Sequence, residues 1–265
     1  MDFEIDSGWK LHPVGGDTGQ AYMGTRAEEK LFLKRNSSPF LAALSVEGIT
    51  PRLVWTKRIG NGDVLTAQEW LNGRTLKSTE MSSPSVAQLL SRIHNSEPLR
   101  RMLARVGGEE VTPQQLLQTY EHELPHDLKI HPLLDSILKK LKKEVTDMKT
   151  VVPRVCHGDI YQKNWLLSDE NRLYLVDWDS AMLADPAMDL SMLLFQYVDR
   201  ADWSEWLEHY GVTVTEELIE RVTWYALMNY LIQTKRHHHE ARFYEMNKDI
   251  LKLQTLYQMP DTETD

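Results

Sequence analysis

The segment from residue 155 to residue 189 constrains the fold of this chain more than any other. It reads VCHGDIYQKNWLLSDENRLYLVDWDSAMLADPAMD. Two apolar runs flank a turn-forming stretch at residues 168–171, a pattern that predicts a β-hairpin. Asn164 precedes the first run and Asp177 ends the second, so the hairpin would bring both side chains to one end of the ribbon, with Asp159 beside them. The sequence therefore predicts three oxygen-bearing side chains in one place.

These residue types suit the transfer of a phosphoryl group. One carboxylate accepts the proton of an attacking hydroxyl, while an amide oxygen and a second carboxylate hold Mg²⁺ against nucleotide phosphates. Asn164 follows Asp159 by five residues, the spacing of the base and the asparagine ligand on kinase catalytic loops. Any one of these residues alone is more often a turn or capping residue. The preceding His157 and Gly158, together with the hairpin that ends at Asp177, favour the kinase interpretation.

The motifs HGDIYQKN, YLVDWD and DPAMDLS resemble the aminoglycoside/choline kinase family of small-molecule phosphotransferases. More narrowly, QAYMG, AQEWLNG, KNW, YLVDWDS and WYALMNYL are similar to the CcrZ group of cell-cycle regulators of Gram-positive bacteria. The resemblance covers nearly the whole chain. It implies a two-lobed, protein-kinase-like α/β (α+β) fold, with a small β-rich N-lobe at residues 1–71 and a larger helical C-lobe at residues 72–265.

The resemblance also implies an activity and its cofactors. ATP and Mg²⁺ would serve the phosphorylation of a small-molecule hydroxyl, and the narrower likeness points to ribose or 2-deoxyribose at the 5-hydroxyl. The same likeness implies a role in cell division and in the initiation of DNA replication, exerted through protein partners. Asp159 would be the base, and Asn164 and Asp177 would be the metal ligands.

Further roles follow from the same resemblance and stay open between alternatives. His157 would brace the catalytic loop, and Asp189 would do the same or simply begin a helix. Asp179 could hold a second metal or contact the substrate. Trp224 and Tyr225, on an aromatic-rich helix, could line the acceptor pocket or belong to the core.

A glycine-rich turn near the start of the chain is the candidate phosphate loop. Glycine tolerates positive φ and lets backbone N–H groups approach a phosphate closely. The residues assigned to this loop are Gly15, Gly16, Thr18 and Gly19. Lys34 follows Gly19 by fifteen residues on a predicted strand, a suitable place for a lysine that contacts nucleotide phosphates.

The stretch AQEWLNG at residues 67–73 resembles the kinase hinge between the lobes. By that resemblance the backbone of Glu69 and Leu71 would bond adenine, with Trp70 nearby; core packing is the alternative for Trp70. The short helix predicted at residues 39–47 departs from the kinase pattern, because its one acid is Glu47 near its C-terminal end. Whether a glutamate pairs with the strand lysine is therefore left open.

Composition excludes several functional classes. A net charge of −9 argues against nonspecific nucleic-acid binding, which needs a basic surface. No apolar run is as long as a membrane span, and the first residues lack the pattern of a signal peptide. The single cysteine, Cys156, lies in an apolar strand and fits the reducing cytoplasm, where we expect the protein.

Two other functions remain compatible with the sequence. A cationic acceptor such as choline or an aminoglycoside would need an acidic pocket, for which the C-lobe offers Glu205, Glu208, Glu216, Glu217 and Glu220. The chain could also be a nucleotide-binding regulatory module that acts through protein contacts. The oligomeric state has no readable signal in the sequence.

Overall fold

The computed structural model describes residues 8–14, 21–60 and 62–258. The predicted phosphate-loop residues Gly15, Gly16, Thr18 and Gly19 lie outside these ranges. Their role stays a prediction.

A five-stranded antiparallel sheet forms the N-terminal part, in the order β1-β2-β3-β5-β4. Its strands are β1 (Lys10–Pro13), β2 (Ala21–Arg26), β3 (Glu29–Arg35), β4 (Leu53–Arg58) and β5 (Val64–Glu69). Side chains alternate between the two faces of a strand. Leu31 and Leu33 are therefore buried on one face, while Lys34, paired with Thr66 of β5, is on the other. The predicted phosphate-binding lysine therefore faces the C-terminal part of the chain, where it contacts Asp177 and Asp179.

The remainder of the chain is mainly helical, as the two-lobed kinase-like fold requires. The helices are α1 (Phe40–Val46), α2 (Pro84–His94), α3 (Glu97–Arg105), α4 (Pro113–Glu121), α5 (His126–Lys129), α6 (Pro132–Glu144), α7 (Ala187–Tyr197), α8 (Trp203–Tyr210), α9 (Glu216–His239) and α10 (Phe243–Tyr257). The part of the chain described here contains no helix long and apolar enough to cross a membrane.

Two small sheets carry the segment that contains the predicted base and metal ligands. One has the order β6-β8-β9, and the other pairs β7 with β10. Their strands are β6 (Gly73–Thr75), β7 (Arg154–Cys156), β8 (Trp165–Ser168), β9 (Leu173–Leu175) and β10 (Met182–Ala184). The predicted hairpin is confirmed: Trp165 of β8 is paired with Leu175 of β9. Beyond this pair, the N–H of Val176 donates to the carbonyl of Asn164 at 2.9 Å. Asn164 and the residue that follows Val176, Asp177, therefore lie at the same end of the ribbon.

The buried apolar side chains fall into two clusters. The smaller one belongs to the sheet and contains Leu31, Leu33, Ile59, Leu65 and Ala67. The larger one fills the helical part, and it also contains the α1 side chains of Phe40 and Leu44. α1 therefore packs with the C-terminal part, although it lies within residues 1–71.

Candidate active site

A sharp turn after β7 presents Asp159. Gly158 has φ +76°, and a Cβ there would lie 2.9 Å from the carbonyl of Ser180, so glycine suits this position on both grounds. The Asp159 side chain is 26% exposed, and Lys163 Nζ lies 3.8 Å from its Oδ2. Sequence reasoning did not single out Lys163, although a spacing of four residues places it near the predicted base.

Asn164 is held tightly next to Asp159. Its Nδ2 donates to the Asp159 carbonyl at 2.8 Å and to Asp159 Oδ2 at 2.9 Å. Both bonds use the amide nitrogen, so the amide oxygen of this 3% exposed side chain is directed elsewhere. Amide and carboxylate oxygens are the ligands that Mg²⁺ prefers, so Asn164 together with Asp177 fits a magnesium site.

Asp177 begins a short 3-10 turn in the left-handed conformation, with φ 64° and ψ 65°. Its Oδ1 accepts a hydrogen bond from Lys34 Nζ at 2.7 Å, and Asp179 Oδ2 accepts from the same ammonium at 2.8 Å. Burial alone would lower the pKa of Lys34, but the hydrogen bonds and charges of the two aspartates outweigh it, so its pKa is raised. The structure thus brings Lys34 to the end of the catalytic hairpin.

Asp189, in the first turn of α7, is fully buried beneath the catalytic loop. Its carboxylate accepts the N–H of His157 at 2.7 Å and of Gly158 at 3.0 Å, and His94 Nε2 lies 3.1 Å away. His94 Nδ1 in turn lies 2.6 Å from the hydroxyl of Tyr210. Burial alone would raise the pKa of Asp189, but these partners hold it below its usual value. The geometry is that of a brace for the loop.

His157 fills the space behind the loop. Asp159 N–H donates to its Nδ1 at 3.2 Å, and its Nε2 lies 3.0 Å from the Val176 carbonyl. The ring packs edge-on against Trp178, with centroids 4.7 Å apart. Burial lowers the pKa of this imidazole. His157 therefore connects the backbone of the predicted base to the end of the hairpin.

The predicted hinge lies at the end of β5. Glu69 N–H donates to the Arg52 carbonyl at 2.9 Å, so an adenine contact from Glu69 would have to come from its carbonyl oxygen. Trp70 and Leu71 are half-buried and follow the strand directly. The role of these three residues in adenine binding stays a prediction.

Trp224 and Tyr225 lie in the core, with exposures of 2% and 1%. The indole N–H of Trp224 donates to the carbonyl of Leu141 in α6 at 3.1 Å. Both rings are packed as the core alternative expects, and Trp224 also lines a cavity at the start of α9 together with Glu216 and Glu220, so a role of these residues at an acceptor stays a prediction.

Other aromatic side chains lie close to Asp159. Burial raises the pKa of the Tyr161 and Tyr197 hydroxyls, and the charge of Asp159 adds to the effect. Gln162 N–H in the catalytic loop donates to the Tyr197 hydroxyl at 3.4 Å. Burial likewise raises the pKa of Tyr230 of α9 to about 12, and the charges of Asp249 and Tyr197 contribute. The sequence indicates an aromatic-rich helix in the C-lobe, but the position of Tyr161 beside Asp159 depends on the fold of the loop.

The chain is similar to known phosphotransferases. Residues 20–225 match the phosphotransferase enzyme family, APH. Protein LicA of Haemophilus influenzae is 30% identical over 127 residues, which are 46% of this chain and 46% of that protein. The chain thus spans about half the length of this curated relative.

Solved structures of the same architecture extend over almost the whole chain. The choline kinase LicA from Streptococcus pneumoniae has a TM-score of 0.70 at 18% identity, covering 94% of this chain and 95% of that one. The GDP complex of aminoglycoside 2′-phosphotransferase-IIIa has a TM-score of 0.68 at 13% identity, covering 97% and 93%. At these identities the likeness concerns the fold.

Proposed function

This chain belongs to the phosphotransferase enzyme family, and from that premise we propose that it transfers the γ-phosphoryl group of ATP to a hydroxyl of a small molecule. The observation that carries the proposal is the convergence of Asp159, Asn164, Asp177 and Lys34 at one end of the hairpin. Phosphoryl transfer depends on positioning and on electrostatic stabilisation, and this set of residues offers both.

Each residue has a definite task in this proposal. Asp159 accepts the proton of the acceptor hydroxyl, and the Asn164 amide fixes the orientation of its carboxylate. Asn164 and Asp177 would hold Mg²⁺, which when bound neutralises charge on the phosphoryl oxygens. Lys34 contacts the nucleotide phosphates, and His157 and Asp189 keep the loop in place.

We propose a neutral sugar as the acceptor, with ribose or 2-deoxyribose first. The positive charges near Asp159 support this choice. Arg236 is within electrostatic range of the Tyr161 hydroxyl, and Lys252 Nζ lies 5.2 Å from the centre of the Tyr230 ring. Asp249, the buried acid of this region, is bonded to His237 Nδ1 at 2.7 Å. Arg236 and Lys252 would oppose a cationic acceptor, whereas the charge of Asp249, which also acts on the Tyr161 and Tyr230 hydroxyls, would favour one.

Three of the acidic residues considered for a cationic acceptor lie elsewhere on α9. Glu216, Glu217 and Glu220 are at the start of α9, whereas Tyr230 is in its C-terminal half. Glu217 is also paired with Lys149 at 2.5 Å. A choline- or aminoglycoside-type acceptor is nevertheless the second candidate, because the structural neighbours include proteins named for these substrates.

The test of this activity is ADP release with Mg·ATP and a panel of acceptors: ribose, 2-deoxyribose, choline and kanamycin. We expect pentose-dependent turnover that falls by about 10²- to 10⁴-fold in Asp159→Asn, because the general base is lost. We expect Asp177→Asn to be inactive with its fold intact. Full activity of either variant would defeat the assignment, and turnover with choline or kanamycin alone would move the acceptor to the second candidate.

We further propose a cytoplasmic enzyme that takes part in cell-cycle and replication-initiation control through protein partners, as the resemblance to the CcrZ group implies. Cys156 is a free, buried thiol, which suits a reducing compartment. Affinity capture of division and initiation proteins with wild type and with Asp159→Asn tests the partner role. Capture that survives the loss of turnover would separate binding from catalysis; no capture by either form would count against such partners.

A further inference from the structure

The role of Asp179 can be assigned from its contact with Lys34. We infer that Asp179 is a positioning residue that holds the Lys34 ammonium for the nucleotide phosphates, and is neither a metal ligand nor a substrate contact. The two side chains meet at 2.8 Å, between β3 and the turn that follows the catalytic hairpin. This inference rests on the proposed function, which gives Lys34 its task at the phosphates.

Lys34 needs such a residue because α1, the helix that follows its strand, provides no acidic partner. Kinases hold the strand lysine with a glutamate from the helix that follows it. The α1 sequence is FLAALSV, which contains no acid, and Glu47 comes only after the last helical residue. Among the described residues, the acids that hydrogen-bond Lys34 are Asp177 and Asp179. The partner of the lysine thus comes from the C-terminal part of the chain.

The two aspartates are not equivalent. Asp177 directly follows Val176, whose N–H bonds the Asn164 carbonyl, so Asp177 is beside the other predicted metal ligand. Asp179 is two residues further on, inside the 3-10 turn of residues 178–180. If Asp177 serves a metal, Asp179 is the carboxylate that remains for Lys34.

A buried tryptophan fixes the backbone that carries Asp179. The Trp178 indole N–H donates to the Leu175 carbonyl at 2.8 Å, and the ring packs edge-on against Phe40 of α1, with centroids 5.9 Å apart. Asp179 is therefore presented from a rigid turn, although its own side chain is 54% exposed. A flexible lysine loses rotamer freedom when it binds a ligand, and a carboxylate that orients it in advance reduces that cost.

A double-mutant cycle tests the inference. Calorimetry would measure ADP binding, with Mg²⁺ present, to wild type, Lys34→Met, Asp179→Asn and the double variant. We expect Asp179→Asn to weaken ADP binding by roughly tenfold, as for the loss of a charge-assisted hydrogen bond. In the Lys34→Met background the same substitution should change ADP affinity less than about twofold, because Asp179 acts through Lys34.

The matched control is Asp177→Asn, which removes the neighbouring carboxylate. Electron paramagnetic resonance of Mn²⁺ with ADP should show weakened metal binding in Asp177→Asn and unchanged binding in Asp179→Asn. Equal losses of ADP affinity from Asp179→Asn in both Lys34 backgrounds, or equal losses of Mn²⁺ affinity in the two aspartate variants, would overturn the inference. If wild type binds ADP and phosphorylates an acceptor while the cycle is additive, only the role of Asp179 fails. If wild type binds no nucleotide, the proposed function fails.

Discussion

At the scale of single residues, the hydrogen bonds that His157 makes to the catalytic loop require the neutral form of its ring. A backbone carbonyl can only accept, so Nε2 donates to Val176, and Nδ1 must be unprotonated to accept the Asp159 N–H. Burial lowers the pKa of the ring, and the charges of Asp189, Asp159 and Asp177 oppose this without overcoming it. The neutral imidazole is therefore the form on which the loop depends.

The lowered pKa of His157 has a definite effect on stability. Because the folded pKa is below the unfolded value of about 6.5, the contribution is fully present above that pH and is lost as pH falls through the folded pKa. We expect the Tm of wild type to fall between about pH 7.5 and about pH 5.5 more steeply than that of His157→Gln. Thermal unfolding across this range measures both slopes, and parallel curves would count against the prediction.

The sequence predicts the spatial placement of some site residues but not of others. Asp159, Asn164 and Asp177 follow from short spacings around one hairpin, and the structure brings them together as the pattern predicts. The partner of Lys34 could not be read in this way, because Asp179 is 145 residues away and the contact depends on how the sheet lies over the C-terminal part. The same holds for the brace on Asp189, since His94 is 95 residues before it in the chain.

At the scale of secondary-structure elements, Gly73 lets β6 lie against the catalytic hairpin. It is paired with Ser168 of β8, the strand that follows Asn164. A Cβ at Gly73 would come closer to the Leu167 carbonyl than van der Waals contact permits, and it would lie 2.9 Å from Ser168 Cα. Backbone atoms cannot move aside as a flexible side chain can. The close approach of the two strands therefore requires glycine at this position.

We expect Gly73→Ala to lower the free energy of unfolding by about 1–3 kcal/mol, the usual cost of overpacking. Urea unfolding of wild type and Gly73→Ala measures this change in the free energy of unfolding. Gly60→Ala is the matched control, because a Cβ at Gly60 meets nothing within 4 Å. If both substitutions change the free energy of unfolding equally, the close strand approach is not the cause.

Most elements were predictable from apolar periodicity, and their ends were less so. The sequence pattern predicts strands at residues 31–34, 51–56 and 64–69 and helices at residues 84–95, 133–148, 203–210 and 216–235. The structure places β3, β4, β5, α2, α6, α8 and α9 close to these positions. α9 was expected to end at Lys235 but continues to His239, because His237 bonds Asp249 of α10 and His238 bonds Asp127. These are tertiary contacts, which the helix propensity of the local sequence does not predict. α10 itself was not predicted. Tyr244 and Leu251 of this helix are apolar but exposed, so its apolar residues do not follow one face of a helix.

At the scale of the whole molecule, the two apolar clusters do not coincide with the division of the sequence at residue 71. The sheet cluster has five buried residues, whereas α1 contributes to the large cluster. The chain after α1 is also joined to the catalytic hairpin, since Leu175 N–H donates to the Ile49 carbonyl at 3.0 Å. Arg92 of α2 donates to the carbonyls of Glu47 and Gly48 at 3.3 Å. We therefore expect α1 to unfold with the C-terminal part of the chain, and the sheet to be a separate cooperative unit.

Leu33 and Leu44 form a matched pair for this prediction. Both are fully buried leucines of the predicted N-lobe, but Leu33 is in the sheet cluster and Leu44 of α1 is in the large one. Each Leu→Ala change should cost about 2–5 kcal/mol where its cluster is disrupted. Because local opening follows cooperative units, native-state hydrogen exchange should show Leu33→Ala lowering protection in β3 and β5 alone, and Leu44→Ala lowering it in β7 and α7. If Leu44→Ala instead affects the sheet and leaves β7 protected, α1 belongs to the N-lobe. In the expected case, the ion pair between Lys34 of β3 and Asp179 joins two units that open separately.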